Sequence, residues 1–202
     1  MSTYGTAARG AEALTTRPVG DARGPTFYRL YIGTAPGRMH EPSVGPDGRI
    51  WTSPLDGNLW NYHAPTGAVE IIDLEQLTGR AWAGLHLWPI AHENSVLLCT
   101  PKLPRLWVWN RDTGKVTRHA FPHAEPEVYG GFVVDGWKHI YLYDTKHQSV
   151  LKWDPHTHVG ENFPCPYQLS GTLYMSFVDA ARGEIWGSTY TGNDIVCFDV
   201  DG

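Results

Sequence analysis

The sequence has few cysteines, no long apolar run and no signal for export. Its three cysteines, Cys99, Cys165 and Cys197, are too widely spaced for a CxxC pair or for the ligands of a zinc site. We interpret them as small buried residues of a reducing compartment. No stretch approaches the roughly 20 apolar residues of a membrane-spanning helix. The N-terminus has no basic segment followed by an apolar one, so we expect no secretory signal and a cytoplasmic location.

Positive charge is also scarce, with 16 Lys and Arg against 21 Asp and Glu and a net charge of -5. A nucleic-acid-binding domain usually needs a basic face, so neither nucleic acid nor a membrane is an expected partner. What the chain has instead is 22 Gly, 15 Pro and nine Trp. Turn-forming and strand-forming residues in these numbers argue against a helical bundle.

The chain has two segments that differ in composition and in hydrophobic pattern. Residues 1–26 are rich in Gly, Ala, Ser and Thr without an apolar period, which predicts a flexible N-terminal tail. From Phe27 onward, short apolar or aromatic runs are separated by Pro-Asp-Gly, Asp-Gly-Asn and Asp-Thr-Gly turns. This alternation is typical of many short antiparallel strands.

A repeat of about 45 residues organises the second part. Each unit has an apolar anchor, a second anchor nine or ten residues later, and an aromatic residue three positions after that. The first anchors are Ile50, Val96, Ile140 and Ile185; the second are Leu59, Leu106, Val150 and Ile195; the aromatic residues are Tyr62, Trp109, Trp153 and Phe198. Strands at this period without a helical pattern predict the blades of a β-propeller.

We therefore predict an all-β fold with about four recognisable four-stranded blades in residues 27–202. The expected blades are 40–75, 84–120, 127–163 and an incomplete 169–202, with the third-strand aromatic residues filling the wedges between blades. Residues 27–36 are expected to be a spare strand that completes the last blade. We favour a partial propeller, which self-association could complete, over a closed four-bladed ring.

The stretch from His40 to Trp51, continuing from Gly57 to Gly67, resembles a blade of the virginiamycin B lyase family. Those blades have a histidine before the inner strand, a D-G-x-[IV]-W strand, a G-x-[IL] strand and a D-x-x-T-G turn. Wider relatives are the gluconolactonase (SMP-30) and regucalcin-like propellers and propeller polysaccharide lyases. The resemblance covers residues 40–202 and implies a lyase that performs carbon–oxygen β-elimination on a uronic-acid glycoside or a cyclic ester. It also implies assistance by a divalent metal ion, Mg or Ca.

Propellers place their sites at the mouth of the central channel, where the inner strands begin. Aligning the units on their first anchors puts His40 and His86 at one position and Tyr129 and Tyr174 at the position before it. We therefore expect His40, His86, Tyr129 and Tyr174 to meet at one rim, as candidate catalytic residues. Imidazole and phenol groups transfer protons, as elimination requires. A nearby cation would hold the developing enolate of a small-molecule or oligosaccharide substrate. The candidate cations are Arg80, Lys102 and Arg105.

Simpler interpretations stay open for each candidate. The histidines could bond a neighbouring blade's backbone, the tyrosines could line the channel, and the basic residues could be solvated loop charges. His156 and His158 have the spacing of metal ligands but no nearby third ligand in the sequence. A lactonase metal site is less favoured, because the aligned positions lack its carboxylate and asparagines. A non-catalytic propeller that binds another protein and an inactive fragment of a larger propeller enzyme are the alternatives to a lyase.

Overall fold

The computed structural model describes residues 17–19, 27–29, 42–85, 87–100, 103, 105–122, 128–134, 139–179 and 181–199. For residues 17–19, 27–29, 88, 128–134 and 174–178 it describes the backbone alone. The chain divides into two compact units, Met1–Gly37 and Arg38–Gly202. No helix in the described ranges is both long and apolar enough to cross a membrane.

The first unit contains two short strands. Strand β1 (Arg17–Val19) pairs antiparallel with β2 (Phe27–Arg29), with Pro18 opposite Tyr28. The described residues 17–19 therefore form a strand within the segment for which composition predicts a flexible tail, and the tail stays a prediction. Composition did not reveal this strand, because its backbone groups find their partners in a segment about ten residues further on. The pairing described for β2 is with β1, and completion of the last blade by residues 27–36 stays a prediction.

The first two blades are antiparallel four-stranded sheets whose strands follow one another in chain order. Blade 1 comprises β3 (Ser43–Val44), β4 (Ile50–Thr52), β5 (Asn58–His63) and β6 (Ala68–Asp73). A short helix, α1 (Leu74–Thr78), follows it. Blade 2 comprises β7 (Trp88–His92), β8 (Ser95–Cys99), β9 (Arg105–Asn110) and β10 (Val116–Ala120).

The next two blades continue the pattern. Blade 3 comprises β11 (Val128–Val134), β12 (His139–Asp144), β13 (Ser149–Trp153) and β14 (Gly160–Pro164). Blade 4 has three described strands, β15 (Leu173–Asp179), β16 (Glu184–Thr189) and β17 (Ile195–Asp199). The first strand of each blade contacts the first strand of the next. The described part of the chain is thus a partial β-propeller, as the repeat predicted.

The residues that define the repeat meet across the second and third strands of every blade. Each first anchor stands directly opposite the aromatic residue of its own blade. The pairs are Ile50 with Tyr62, Val96 with Trp109, Ile140 with Trp153 and Ile185 with Phe198. An aliphatic residue opposite an aromatic one is among the stabilising cross-strand pairs of a sheet.

In blades 2, 3 and 4 these pairs belong to hydrophobic clusters that lie between adjacent blades. Trp109 packs against the cluster of blades 1 and 2, where its ring meets Trp51 edge-on with centroids 6.3 Å apart. Trp153 belongs to the cluster of blades 2 and 3, and Phe198 packs against that of blades 3 and 4. The aromatic residue of one blade therefore faces the blade before it. Burial of such side chains contributes about 1.5–3 kcal/mol each.

Two local features differ from the sequence-based expectations. Helix α1 was not predicted, because a single turn has too few residues to show a helical period. Its N-cap is Asp73, whose carboxylate accepts a bond from the Gln76 amide, and Gly79 at φ 70° ends it. The cysteines also differ from one another. Cys99 is buried, and burial raises the pKa of its thiol to about 12, but Cys165 is half-buried and Cys197 is exposed.

Candidate functional site

One end of the blades gathers the elements that could form a site. In an antiparallel meander, the inner strand begins at the same end as the turn between the second and third strands. In this chain those turns are residues 53–57, 100–104, 145–148 and 190–194. We name this end of the propeller the entry end. The connections from one blade to the next also begin and finish there.

Four of the sequence-predicted residues can be placed at the entry end. Arg80 is exposed on the connection from α1 to β7, and Arg105 is the exposed first residue of β9. The backbones of Tyr129 and Tyr174 lie near the starts of β11 and β15. The remaining candidates, His40, His86 and Lys102, lie outside the described residues. The catalytic and binding roles of all seven remain predictions.

The strand register supports part of the predicted alignment and corrects the rest. Tyr129 pairs with Tyr143, and Tyr174 pairs with Ser188. Tyr143 and Ser188 each lie three residues after the first anchor of their blade. The equivalent residue of blade 2 is Cys99, and it pairs with Trp88. The alignment on the first anchors matched Leu85 and His86 with Tyr129 and Gly130. The structural equivalent of Tyr129 is Trp88, so the alignment is wrong by three residues in blade 2.

Two differences between blade 2 and blades 3 and 4 account for this three-residue error in the alignment. The turn between β7 and β8 has two residues, 93–94, whereas the corresponding segments 135–138 and 180–183 have four. The other residue is an extra one in each inner strand of blades 3 and 4. It appears as a register shift between Tyr129 and Phe132 in β11 and between Met175 and Phe177 in β15. Bulges re-aim side chains and are common next to active sites. Both shifts begin within one residue of a predicted rim tyrosine.

A histidine paired with a buried carboxylate lies in the 145–148 turn at this end. His147 Nδ1 is 2.7 Å from Asp144 Oδ2, and the Asp144 side chain is fully buried at the end of β12. Asp144 Oδ1 also accepts bonds from the amides of Lys146 and His147. The His147 ring keeps 37% of its surface exposed. With Nδ1 donating to the carboxylate, the neutral ring carries its lone pair on Nε2, as a general base requires.

The residue after His147 anchors the same turn. Gln148 has a left-handed backbone, with φ 48°, which is uncommon for a residue with a side chain. Its carbonyl accepts a bond from the Cys165 amide, and its Oε1 accepts one from the Leu169 amide. These bonds fix the turn to the connection between blades 3 and 4. A strained residue held by several partners is typical of segments that position functional groups.

The neighbouring turn of blade 4 is closed by a second carboxylate. Asp194 Oδ2 accepts bonds from the hydroxyl and the amide of Ser170, and both bonds lower the pKa of Asp194. The Asn193 amide donates in turn to Ser170 Oγ. The same turn packs so closely that only glycine fits at position 192, because a Cβ there would clash with Ser170 Oγ and Thr189 Oγ1. The entry end is thus preorganised in both blades.

Metal binding finds no support in the parts of the chain that the structure describes. They contain no group of three or more His, Cys, Asp and Glu side chains arranged to hold a metal ion. His156 and His158, in the turn between β13 and β14, instead make ring contacts with His92 and His119 of blade 2. The described residues thus supply no ligand set for the divalent metal that the resemblance implies, and the metal stays a prediction.

The His147–Asp144 pair was missed in the sequence, where His147 counted only as a turn residue. The available signal was Asp144-Thr-Lys-His147, a carboxylate that ends a strand three residues before a histidine. That spacing is common in turns, and only the burial of Asp144 distinguishes this one.

Comparison with solved structures supports the fold. The chain superimposes on a streptogramin B lyase with a TM-score of 0.58 and 14% identity, over 87% of this chain and 59% of that one. For virginiamycin B lyase from Staphylococcus aureus the TM-score is 0.53 with 12% identity, over 90% and 62% of the two chains. The dihydro-heme d1 dehydrogenase NirN matches with a TM-score of 0.57 and 16% identity, over 81% and 35%. No protein-family profile and no curated protein matches the sequence.

These similarities show a propeller of the kind found in the virginiamycin B lyases, and at such low identity they show the fold alone. The chain spans about 59–62% of the length of the two lyases.

Proposed function

We propose that this propeller is a carbon–oxygen lyase that acts by β-elimination on a uronic-acid glycoside or a cyclic ester. The observation that carries the proposal is the His147–Asp144 pair, which presents a positioned imidazole at the end where the inner strands begin. The resemblance of the blades to those of virginiamycin B lyases supports the same reaction class.

Elimination needs a base, an acid and a positive charge near the developing enolate. His147 Nε2 takes the proton from the carbon next to the carboxylate or carbonyl, and the C–H electron pair forms the new double bond. The C–O bond breaks, and the leaving oxygen keeps its electron pair. The alkoxide released from a glycoside takes a proton from the phenol of Tyr129 or Tyr174, whereas the carboxylate released from a cyclic ester needs no proton. Asp144 holds the imidazolium until the proton leaves, and Arg80, Lys102 or Arg105 supplies the positive charge.

The proposed mechanism assigns no step to the metal ion, and no defined step to His40 and His86, which the resemblance to virginiamycin B lyases implies. His40 and His86 remain candidates for a second acid–base or binding role at the same rim. No step here passes through a metal ion, because the described residues offer no ligand set for one.

The test follows the absorbance of the conjugated double bond that elimination creates. The probes are polygalacturonate, alginate, a glycosaminoglycan and a streptogramin B. We expect at least one probe to react and His147→Gln to lower kcat by at least about 100-fold, the usual contribution of a general base. His156→Gln, an exposed histidine at the opposite end, is the matched control and should leave kcat unchanged.

Two results would count against the proposal at different levels. A folded protein that is inactive on every probe contradicts the lyase function. An active protein whose kcat survives His147→Gln keeps the reaction class but removes His147 as its base.

A further inference from the structure

Exposed aromatic side chains gather at the entry end. Four aromatic side chains are exposed among the described residues, and three of them lie at this end. Phe163 is near the end of β14, Tyr167 is in the connection from blade 3 to blade 4, and Tyr190 begins the turn between β16 and β17. The fourth, Trp186, lies within β16, where blades 1–3 bury the equivalent residue. Exposed apolar groups that cluster in this way often mark a binding site.

Tyr167 lies at the tip of a loop that is fastened at both ends to one residue of the His147 turn. The Cys165 amide donates to the Gln148 carbonyl at 2.8 Å, and the Leu169 amide donates to Gln148 Oε1 at 3.1 Å. Tyr167 is two positions from either end of this loop, and a chain spans at most about 3.6 Å per residue, so its Cα lies within about 7 Å of both ends. Tyr167 is 56% exposed. The loop therefore holds an exposed ring beside the turn that carries His147.

Tyr190 belongs to a turn that is bonded to the same connection. Its amide donates to the Thr172 carbonyl at 2.8 Å, and the far end of its turn holds Ser170 through the Asp194 carboxylate. The Tyr190 side chain is 78% exposed. Both exposed tyrosines are therefore carried by backbone that hydrogen bonds hold in place, and a preorganised surface of this kind binds a ligand at a lower entropic cost.

The charges near these rings suit an anionic ligand. Residues 162–172 contain no charged side chain, and the turn beside them contributes Lys146, which is exposed. The two nearby carboxylates, Asp144 and Asp194, already accept hydrogen bonds within the protein. A ligand that carries a carboxylate would therefore meet a cation beside the aromatic rings, which is electrostatically complementary.

We propose that Tyr167, assisted by Tyr190, forms a subsite that binds a pyranose ring of the substrate next to the bond cleaved at His147. The inference rests on the proposed function and narrows its substrate to acidic oligosaccharides and polysaccharides. The CH groups on the face of a pyranose ring pack on an aromatic ring, and the sugar hydroxyl groups bond to a phenol oxygen, so tyrosine suits both parts of the ligand. Lys146 binds the carboxylate of a uronate. A ligand that covers Tyr167 also lies over the His147 turn, which favours a substrate over a protein partner.

Isothermal titration calorimetry tests the subsite in the His147→Gln chain, which separates binding from cleavage. The probes are hexasaccharides of polygalacturonate, alginate and chondroitin. We expect at least one of them to bind, and Tyr167→Ala to raise its dissociation constant about tenfold. Tyr167→Phe keeps the ring and should stay within about twofold of the parent. Trp186→Ala removes an exposed ring outside the entry end and, as the matched control, should leave the dissociation constant unchanged.

Two further measurements test the charge and the step at which the subsite acts. Neutral cellohexaose should bind about tenfold more weakly than the acidic hexasaccharide, and Lys146→Gln should remove that difference. On the acidic polysaccharide that reacts, Tyr167→Ala should raise KM with little change in kcat, whereas a loss of folded protein would lower the apparent kcat. If Tyr167→Ala does not fold by circular dichroism, Tyr190→Ala replaces it.

The outcomes separate this subsite from the lyase function. The subsite is wrong if no acidic hexasaccharide binds, or if Tyr167→Ala binds it as tightly as the parent. Reaction of a streptogramin B by a protein that binds none of the hexasaccharides keeps the lyase function and removes the subsite. Hexasaccharides that bind through Tyr167 to a protein inactive on every probe keep the subsite and contradict the lyase function.

Discussion

Two turns of blade 3, residues 145–148 and 154–159, begin alike and end differently. The first, residues 145–148, follows Asp144, and the second, residues 154–159, starts at Asp154. Each aspartate accepts bonds from the backbone amides two and three residues further on. In the first turn the carboxylate is buried and also binds the His147 ring. In the second it is only half-buried, and the nearby histidines face blade 2 instead.

The difference shows that the same local pattern serves two purposes. Burial makes the first turn a fixed support for an imidazole. In the second turn, the His158 ring stacks on His119 with centroids 4.1 Å apart, and the His156 ring meets His92 at 5.7 Å. The first turn is therefore a candidate for chemistry, whereas the second contributes to the contact between blades 2 and 3.

The largest expected difference between the turns comes from removing their aspartates. Asp144→Ala removes the buried carboxylate and leaves the Lys146 and His147 amides and the His147 ring without their acceptor, which should lower the free energy of unfolding by about 3 kcal/mol. Asp154→Ala removes only a turn cap and should cost about 1 kcal/mol. Urea denaturation of both variants measures the difference, and equal losses would show that the burial of Asp144 has no energetic consequence.

A second, smaller difference concerns the left-handed residue of each turn. Gln148 and His158 have φ 48° and 60°. Gln148→Ala leaves the buried Leu169 amide without its acceptor and should cost about 1–2 kcal/mol. His158→Ala removes an exposed ring that contacts His119 and Trp153 and should cost about 0.5 kcal/mol.

Glycine at the same two positions is the matched control, because it adopts positive φ without strain. Each glycine variant should be more stable than the corresponding alanine by about 1 kcal/mol. If both alanine variants lose the same stability, the anchoring role assigned to Gln148 is wrong.

The smallest effect is on the pH dependence of stability. Burial, together with the charge of His158, lowers the pKa of His119 below its usual 6.5. The unfolded chain therefore binds a proton at His119 at a pH where the folded chain does not. This contribution is complete above pH 6.5 and is lost as the pH falls from there through the folded pKa.

Thermal denaturation between pH 8 and pH 5 measures this contribution. His119→Gln should flatten the curve in that range, and His158→Asn, which keeps a residue tolerant of positive φ, should flatten it partly. His63→Gln, at a turn of blade 1, serves as the control. A wild-type slope in His119→Gln would show that other groups cause the acid sensitivity.

Much of the propeller was predictable because its determinants are periodic. The first anchors and the third-strand aromatic residues recur about every 45 residues, and each anchor pairs with the aromatic residue of its own blade in all four blades. The inner strands were less predictable, because a turn two residues shorter in blade 2 and bulges in β11 and β15 shift their register. These features change the length of a segment without changing the hydrophobic pattern.

The sequence by itself determined the repeat, its period and the residues that face each neighbouring blade, since these depend on alternation along single strands. Only the tertiary structure decided that Asp144 is buried beneath His147 and that Trp186 and Ile195 are exposed while their equivalents are covered. Burial is a property of what packs above a residue, and for these side chains the neighbours come from distant parts of the chain. A strand can specify which side chains point to one face, but the next blade decides whether that face meets protein or water.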